Sequence, residues 1–163
     1  MVVNPKSKSM NLTDYQTQSR DTAMYPDRDR NLWYPTLGLV GEIAEYLTAA
    51  ESEKIKEAGD VAWYCSQLCS EAGLQLEAII QPVEELEAIT TILGQLAECV
   101  KKLYRDRNGE VTEKDRAIVT HSINHIWHHC ISIEDQSIIL STNITKLQSR
   151  KTRGVLGGSG DDR

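Results

Sequence analysis

Two acidic pairs, Glu42-x-x-Glu45 and Glu57-x-x-Asp60, are separated by eleven residues in a stretch patterned as amphipathic helix. Residues three apart on a helix point from the same face, so each pair presents two carboxylates side by side. Packed antiparallel, two such helices bring all four carboxylates to one spot. Converging anions repel unless a cation sits between them. Hard divalent ions such as Mg²⁺ and Mn²⁺ take oxygen ligands and commonly serve phosphate chemistry. An E-x-x-E alone is common on solvated faces, but apolar and small residues surround these acids: Leu39-Val40-Gly41 before Glu42, and Ala58-Gly59 before Asp60. Each glycine costs about 1 kcal/mol of helix propensity relative to Ala. Gly41 and Gly59 therefore suggest close approach by another backbone or a ligand.

Cations appear later in the chain. Asn143, Lys146 and Arg150 fall at i, i+3 and i+7, on one face of the last helical stretch. Lys101, Lys102 and Arg105 follow Glu98. Cations on a defined face suit triphosphate oxygens. The spacing thus suggests a composite site, with acids and metal from the first part of the chain and phosphate-holding cations from the second or from a neighbouring subunit.

The elements that must position these residues are helical throughout. Capping residues at Asn11–Asp14 precede a helix to about Ala23, ended by Tyr25-Pro26. Pro35-Thr36 opens the helix carrying Glu42 and Glu45, with Thr36 as its cap, and Ser52 caps the helix carrying Glu57 and Asp60. A short helix over about Gln75 to Ile80 follows the break at Gly73, and Pro82 permits a new start running to Leu86 or beyond. Longer helices are expected over Ile89 to Arg105, Thr112 to about Cys130, and Asp135 to Arg150. No alternating strand pattern interrupts them, so the expected fold is all-α.

A degenerate repeat organises this order. Gly41-Glu42-Ile43-Ala44-Glu45 is matched by Gly94-Gln95-Leu96-Ala97-Glu98, Glu57-x-x-Asp60-x-x-Trp63 by His121-x-x-Asn124-x-x-Trp127, and Ile79-Ile80 by Ile138-Ile139. Residues 1–150 then read as one domain, with repeat one over about 36–88, repeat two over about 89–150, and a flexible basic, Gly-rich tail over 151–163. The second repeat keeps one acid of four, Glu98. His121, His125, His128 and His129 invite a metal reading, but the sequence offers no carboxylate pair beside them, and a vestigial, non-catalytic site is the better reading.

At 163 residues the chain suits one domain with a substantial core. Its net charge of −6 argues against a duplex nucleic-acid binder while leaving room for a nucleotide held through metal. No apolar run is long enough to span a bilayer, so no membrane partner is expected. The first eight residues lack a signal peptide's apolar core, which makes a cytoplasmic location the default. Cys65, Cys69, Cys99 and Cys130 lack C-x-x-C spacing and read as reduced core residues.

The order E-x-x-E, then E-x-x-D followed by an aromatic, resembles the MazG-like all-α nucleoside triphosphate pyrophosphohydrolases. The resemblance extends over Tyr15-Gln16 and Ala23-Met24-Tyr25-Pro26, Tyr34-Pro35-Thr36-Leu37-Gly38 through Glu42, and Lys56-Glu57-Ala58-Gly59-Asp60-Val61-Ala62-Trp63-Tyr64. It continues in Lys101-Lys102-x-x-Arg105-Asp106 and Asn143 through Leu156, and closes on Gly158-Ser159-Gly160-Asp161. It implies the all-α fold of that family and hydrolysis of a nucleoside or deoxynucleoside triphosphate between the α- and β-phosphates, with a purine leaning that includes dGTP or GTP. Phage-encoded members of the family act in nucleotide-pool remodelling.

By that resemblance Glu42, Glu45, Glu57 and Asp60 would ligate two or more Mg²⁺ or Mn²⁺ ions. Glu42 or Glu45 would accept a proton from the attacking water. Lys101, Asn143 and Lys146 would hold phosphates, with Arg150 and Arg153 closing over them. Tyr15, Trp33 and Trp63 are candidates for stacking on the base, although plain core packing suits aromatic residues equally well. A homodimer or homotetramer would complete the pocket. The alternative is a catalytically inactive family member that binds a nucleotide or a protein partner as a regulator.

Overall fold

The computed structural model describes residues 9–157, all helix and connection, with no strand among them. The element order is α1 (Leu12–Arg20), α2 (Trp33–Thr48), α3 (Lys54–Ala72), α4 (Leu76–Ile79), α5 (Ile89–Arg107), α6 (Glu113–Cys130) and α7 (Gln136–Thr152). The fold is an all-α helical bundle. A single 3₁₀ turn, Glu51–Glu53, runs directly into α3, so Ser52 lies inside that turn instead of capping the helix. Met1–Lys8, where the absence of a signal-like core was read, lie outside the described residues, as does Gly158-Ser159-Gly160-Asp161.

The helix ends follow local chemistry. Asn11 caps α1 by accepting the Asp14 N–H at 2.7 Å. Thr112 and Asp115 form a reciprocal capping box on α6. Helix α2 begins at Trp33, three residues before the expected cap, because Asn31 Oδ1 accepts the Tyr34 N–H at 3.0 Å. Thr36 instead turns its hydroxyl back to the Leu32 carbonyl at 2.7 Å.

The largest departure from expectation is at 80–88, where no helix forms after Pro82. Side chains of α6 satisfy this backbone instead. Asn124 Oδ1 accepts the Gln81 N–H at 3.0 Å, while the His128 and His129 rings donate to the carbonyls of Gln81 and Glu87 at 2.9 and 2.7 Å. A helix of a few residues here would carry the full nucleation cost with little propagation to offset it.

Helix α3 is the centre of the bundle and packs against α1, α2, α6 and α7. Its Val61, Ala62, Cys65, Leu68 and Cys69 are fully buried. They meet Leu39 and Ile43 of α2, Ile123, Ile126 and Trp127 of α6, and Leu140 and Ile144 of α7 in one core. All four cysteines are reduced and buried, and burial raises the thiol pKa of each. The two stretches read as repeats each start with a helical hairpin, α2–α3 and α5–α6. No helix among the described residues is long and apolar enough to cross a membrane.

One buried carboxylate fixes the connection from α1 to α2. Glu71 of α3 accepts from Arg20 Nη2 at 2.8 Å, Tyr25 Oη at 2.6 Å, and the backbone N–H groups of Asp29 and Asn31 at 3.1 and 2.8 Å. Its side chain is wholly shielded from solvent. Replacing its charge leaves the largely exposed Asp29 as the carboxylate paired with Arg20 and those buried donors short of an anionic acceptor. Glu71→Gln is therefore expected to lower unfolding free energy by roughly 3–5 kcal/mol in urea titrations; a loss below about 1 kcal/mol would contradict this assignment.

Candidate metal centre

Helices α2 and α3 are neighbours in an antiparallel hairpin, and this places their acids together. Oxygens of Glu42, Glu57 and Asp60 lie within 4.8 Å of one another. Glu57 is buried, while Glu42 and Asp60 are half-buried. Glu45 lines the adjoining cavity without joining this trio. Lys56 Nζ stands 3.0 Å from Glu57.

Helix α7 closes the cluster from the other side. Lys146 Nζ donates to both oxygens of Asp60, at 2.6 and 2.7 Å, and Asn143 Nδ2 donates to Asp60 Oδ1 at 3.1 Å. Tyr15 Oη in turn donates to Asn143 Oδ1 at 2.9 Å. Gly59 makes the approach possible, because a Cβ there would stand 3.0 Å from the Cβ of Asn143. Gly41 has open space where its Cβ would be and faces solvent, so nothing among the described residues requires a glycine there.

The electrostatics are those of crowded anions. Burial, followed by Asp60, Glu45 and Glu57, raises the Glu42 carboxyl to about 7, against the lowering effect of Lys146. Burial also raises Asp60, and the Lys146 ammonium opposes that rise. The donors are all oxygen, which suits Mg²⁺ or Mn²⁺. A bound divalent ion would relieve the repulsion now shared between Lys146 and a proton on Glu42. The residues fit such an ion.

Glu42, Glu45 and Asp60 line a cavity of about 530 Å³ whose walls also include Tyr25, Tyr34, Trp63, Tyr64 and Arg150. Tyr25 and Tyr34 stack with centroids 4.7 Å apart, and Trp63 meets the edges of Tyr25 and Tyr64 at near right angles. Trp63 Nε1 donates to Thr22 Oγ1 at 2.9 Å. Gly38 leaves room for Tyr64, whose ring would overlap any Cβ at that position. At the end of α7, Gly154 adopts φ 71° and the N–H groups of Gly154 and Val155 return to the carbonyls of Lys151 and Arg150. This Schellman-type turn carries Leu156 and Gly157 back to line the cavity, so the first part of the expected flexible tail is folded.

The structure brings together Glu42, Glu45, Glu57, Asp60, Asn143, Lys146, Arg150 and Trp63 at one site. It leaves four candidates elsewhere. Lys101 pairs with Glu98 on the exposed face of α5, and no α5 residue lines the cavity. Tyr15 is wholly buried, so it supports Asn143 and cannot stack on a base. Trp33 lines a separate hollow beside Leu32, Glu71 and Tyr104. Arg153 is exposed at the C-terminal cap of α7 and does not line the cavity. Sequence reasoning passed over Tyr25, Tyr34 and Tyr64 as wall residues, although all three stand in the motifs that carry the resemblance.

The chain is similar to "Gene 37 protein" of Mycobacterium phage L5, at 27% identity over 164 residues that cover 94% of this chain and 100% of the phage protein. No family model and no solved structure matches the chain.

The raised Glu42 carboxyl makes ion-free stability depend on pH. Between the ordinary value of 4.5 and about 7, the folded chain binds a proton that the unfolded chain releases. Ion-free stability therefore falls as pH rises through that window. Thermal melts from pH 4.5 to 8 should show this fall, with a smaller slope in Glu42→Gln and with added Mn²⁺ restoring stability at the upper end. A Glu42→Gln profile parallel to wild type would refute it.

Proposed function

We propose that this chain is a metal-dependent nucleoside triphosphate pyrophosphohydrolase of the MazG-like kind, converting a (d)NTP and water to the monophosphate and pyrophosphate. The observation that carries this reading is the convergence of Glu42, Glu57 and Asp60 with Asn143 and Lys146, from three helices, at the acidic side of an aromatic-walled cavity. One part of the cavity suits phosphates held through cations, and the other suits a nucleobase.

Glu42, Glu57 and Asp60 would hold Mg²⁺ or Mn²⁺. When bound, such ions neutralise phosphate charge and lower the pKa of a coordinated water. Glu45, beside the trio but outside it, is the carboxylate left to accept the proton of the attacking water. Lys146 would exchange its bond to Asp60 for a phosphate oxygen, with Asn143 fixed by Tyr15 to orient the same region. Arg150, buried and lining the cavity, would stabilise charge on the phosphates. Trp63 and the Tyr25–Tyr34 stack would contact the base, which favours the larger purine rings.

One observation favours a second reading. Lys146 already neutralises Asp60 through two short bonds, as a non-catalytic nucleotide-binding regulator could retain without any ion.

An oligomer is part of the proposal. Trp33, Leu37, Val40 and Leu47 are exposed on α2, and with Ala44 they follow a 4-3-4-3 spacing along one side. That spacing is the seam of a helix pair. Gly41, open in this chain, lies beside the seam and permits close approach by another backbone. A second copy of the chain is the occupant that the self-complementary stripe fits.

Two measurements test these readings. Incubation with each (d)NTP and Mg²⁺ or Mn²⁺ should release pyrophosphate, with rates lowered at least about 100-fold in Glu42→Gln and Asp60→Asn. Orthophosphate alone, or undiminished rates in the variants, would sink the enzyme assignment; tight nucleotide binding without turnover would select the regulator. In light scattering, wild type should weigh at least twice its 18.3 kDa chain mass, and Leu37→Glu should shift it to the single-chain mass. A wild-type monomer would remove the oligomer from the account.

A further inference from the structure

The histidines of α6 divide into two chemistries. His128 and His129 donate ring N–H groups to the carbonyls of Gln81 and Glu87, and so fasten the 81–87 segment along the helix. His121 and His125 instead converge on the Glu87 side chain. Their rings are one helical turn apart with centroids at 4.4 Å, and His121 Nε2 lies 2.8 Å from Glu87 Oε1. One donor atom from each of Glu87, His121 and His125 falls within 4.8 Å of the others.

A solvated ion pair would account for Glu87 and His121 but not for His125. That ring is buried, and among the described residues its Nδ1 accepts only the Glu87 N–H, at a long 3.3 Å. Two imidazoles and one carboxylate form a donor set for Zn²⁺ and similar borderline ions, whereas Mg²⁺ prefers oxygen alone. Tetrahedral zinc with bonds of about 2.1 Å spaces its donors about 3.4 Å apart. The His121–Glu87 pair at 2.8 Å would open slightly to reach that spacing, and the remaining pairs, within 4.8 Å, would close to it by side-chain rotation. His128 and His129 fix the backbone that carries Glu87, so the carboxylate is positioned before any ion arrives. The side chains of His121 and Glu87 are 42% and 41% exposed, which leaves a route for the ion and a position for water.

We propose that Glu87, His121 and His125 form a second divalent-cation site, selective for a nitrogen-seeking ion such as Zn²⁺, that clips the connection between the two helical hairpins to α6. It stands where the second repeat has His121 in place of Glu57. The bundle would thus hold a hard-ion site in its first half and a borderline-ion site in its second. This inference is independent of the nucleotide reading.

The test uses the full chain carrying Glu42→Gln, which weakens the oxygen-only trio, with zinc alone as the probe. Equilibrium dialysis should find one tightly held Zn²⁺ per chain, and zinc should raise the melting temperature. Adding His121→Gln or Glu87→Gln, both at partly exposed positions, should weaken binding by at least roughly tenfold, the smallest loss expected when even an outer-shell partner is changed. Co²⁺ in place of zinc should give the strong visible bands of a nitrogen-containing tetrahedral site, absent in both variants. Absence of zinc binding, or equal affinity with and without His121→Gln, would overturn the proposal.

Discussion

The site depends on the grip of Lys146 and Asn143 on Asp60. Three carboxylates from two helices cannot share a half-buried pocket without a counter-charge. The ammonium of Lys146 supplies it through two short bonds, while Asn143 holds the same carboxylate and is itself held by Tyr15. This network ties α7 and α1 to α3, the helix on which most of the bundle packs. It forms because Gly59 removes the side chain that would hold α7 away. The electrostatic requirement of the acids and the packing of the bundle are therefore met by the same contact.

Charge neutralisation by a side chain is weaker and more mobile than neutralisation by a divalent ion. Burial keeps Glu42 partly protonated near neutral pH even with Lys146 present. The pocket is left with spare oxygen donors and one lysine whose bonds can be exchanged. Beyond it, a wall of stacked and edge-on aromatic rings is fixed from behind by Glu71, which accepts the hydroxyl of Tyr25 and the backbone of the same connection. The folded start of the tail adds Leu156 and Gly157 to the cavity. The acidic and aromatic features of the cavity thus come from separate parts of one chain.

Much of this was legible in the sequence because it rests on local periodicity. The spacing of Glu42, Glu45, Glu57 and Asp60 placed the acids on facing helices, and that of Asn143, Lys146 and Arg150 placed them on one side of α7. Thr112 announced its own helix start. What could not be read was which side chains meet across the bundle. Lys101 resembled Lys146 in charge but lies on a helix face engaged with Glu98. Tyr15 and Trp33 were equivalent as aromatic residues, yet one is sealed in the core and the other faces outward. Glu71 and Glu87 carried no motif; each gains its place from backbone groups or histidines distant in sequence. The 80–88 segment looked helical because its partners on α6 were invisible to a local reading.

The decisive point at the site is whether Lys146 occupies the place of an ion. Crystals grown with Mn²⁺ and a non-hydrolysable nucleoside triphosphate would show this through the anomalous signal of manganese. The expected result is a manganese peak among Glu42, Glu57 and Asp60, with Lys146 Nζ turned from Asp60 to a phosphate oxygen. Nucleotide in the cavity with no manganese at the trio, and Lys146 still on both Asp60 oxygens, would contradict it.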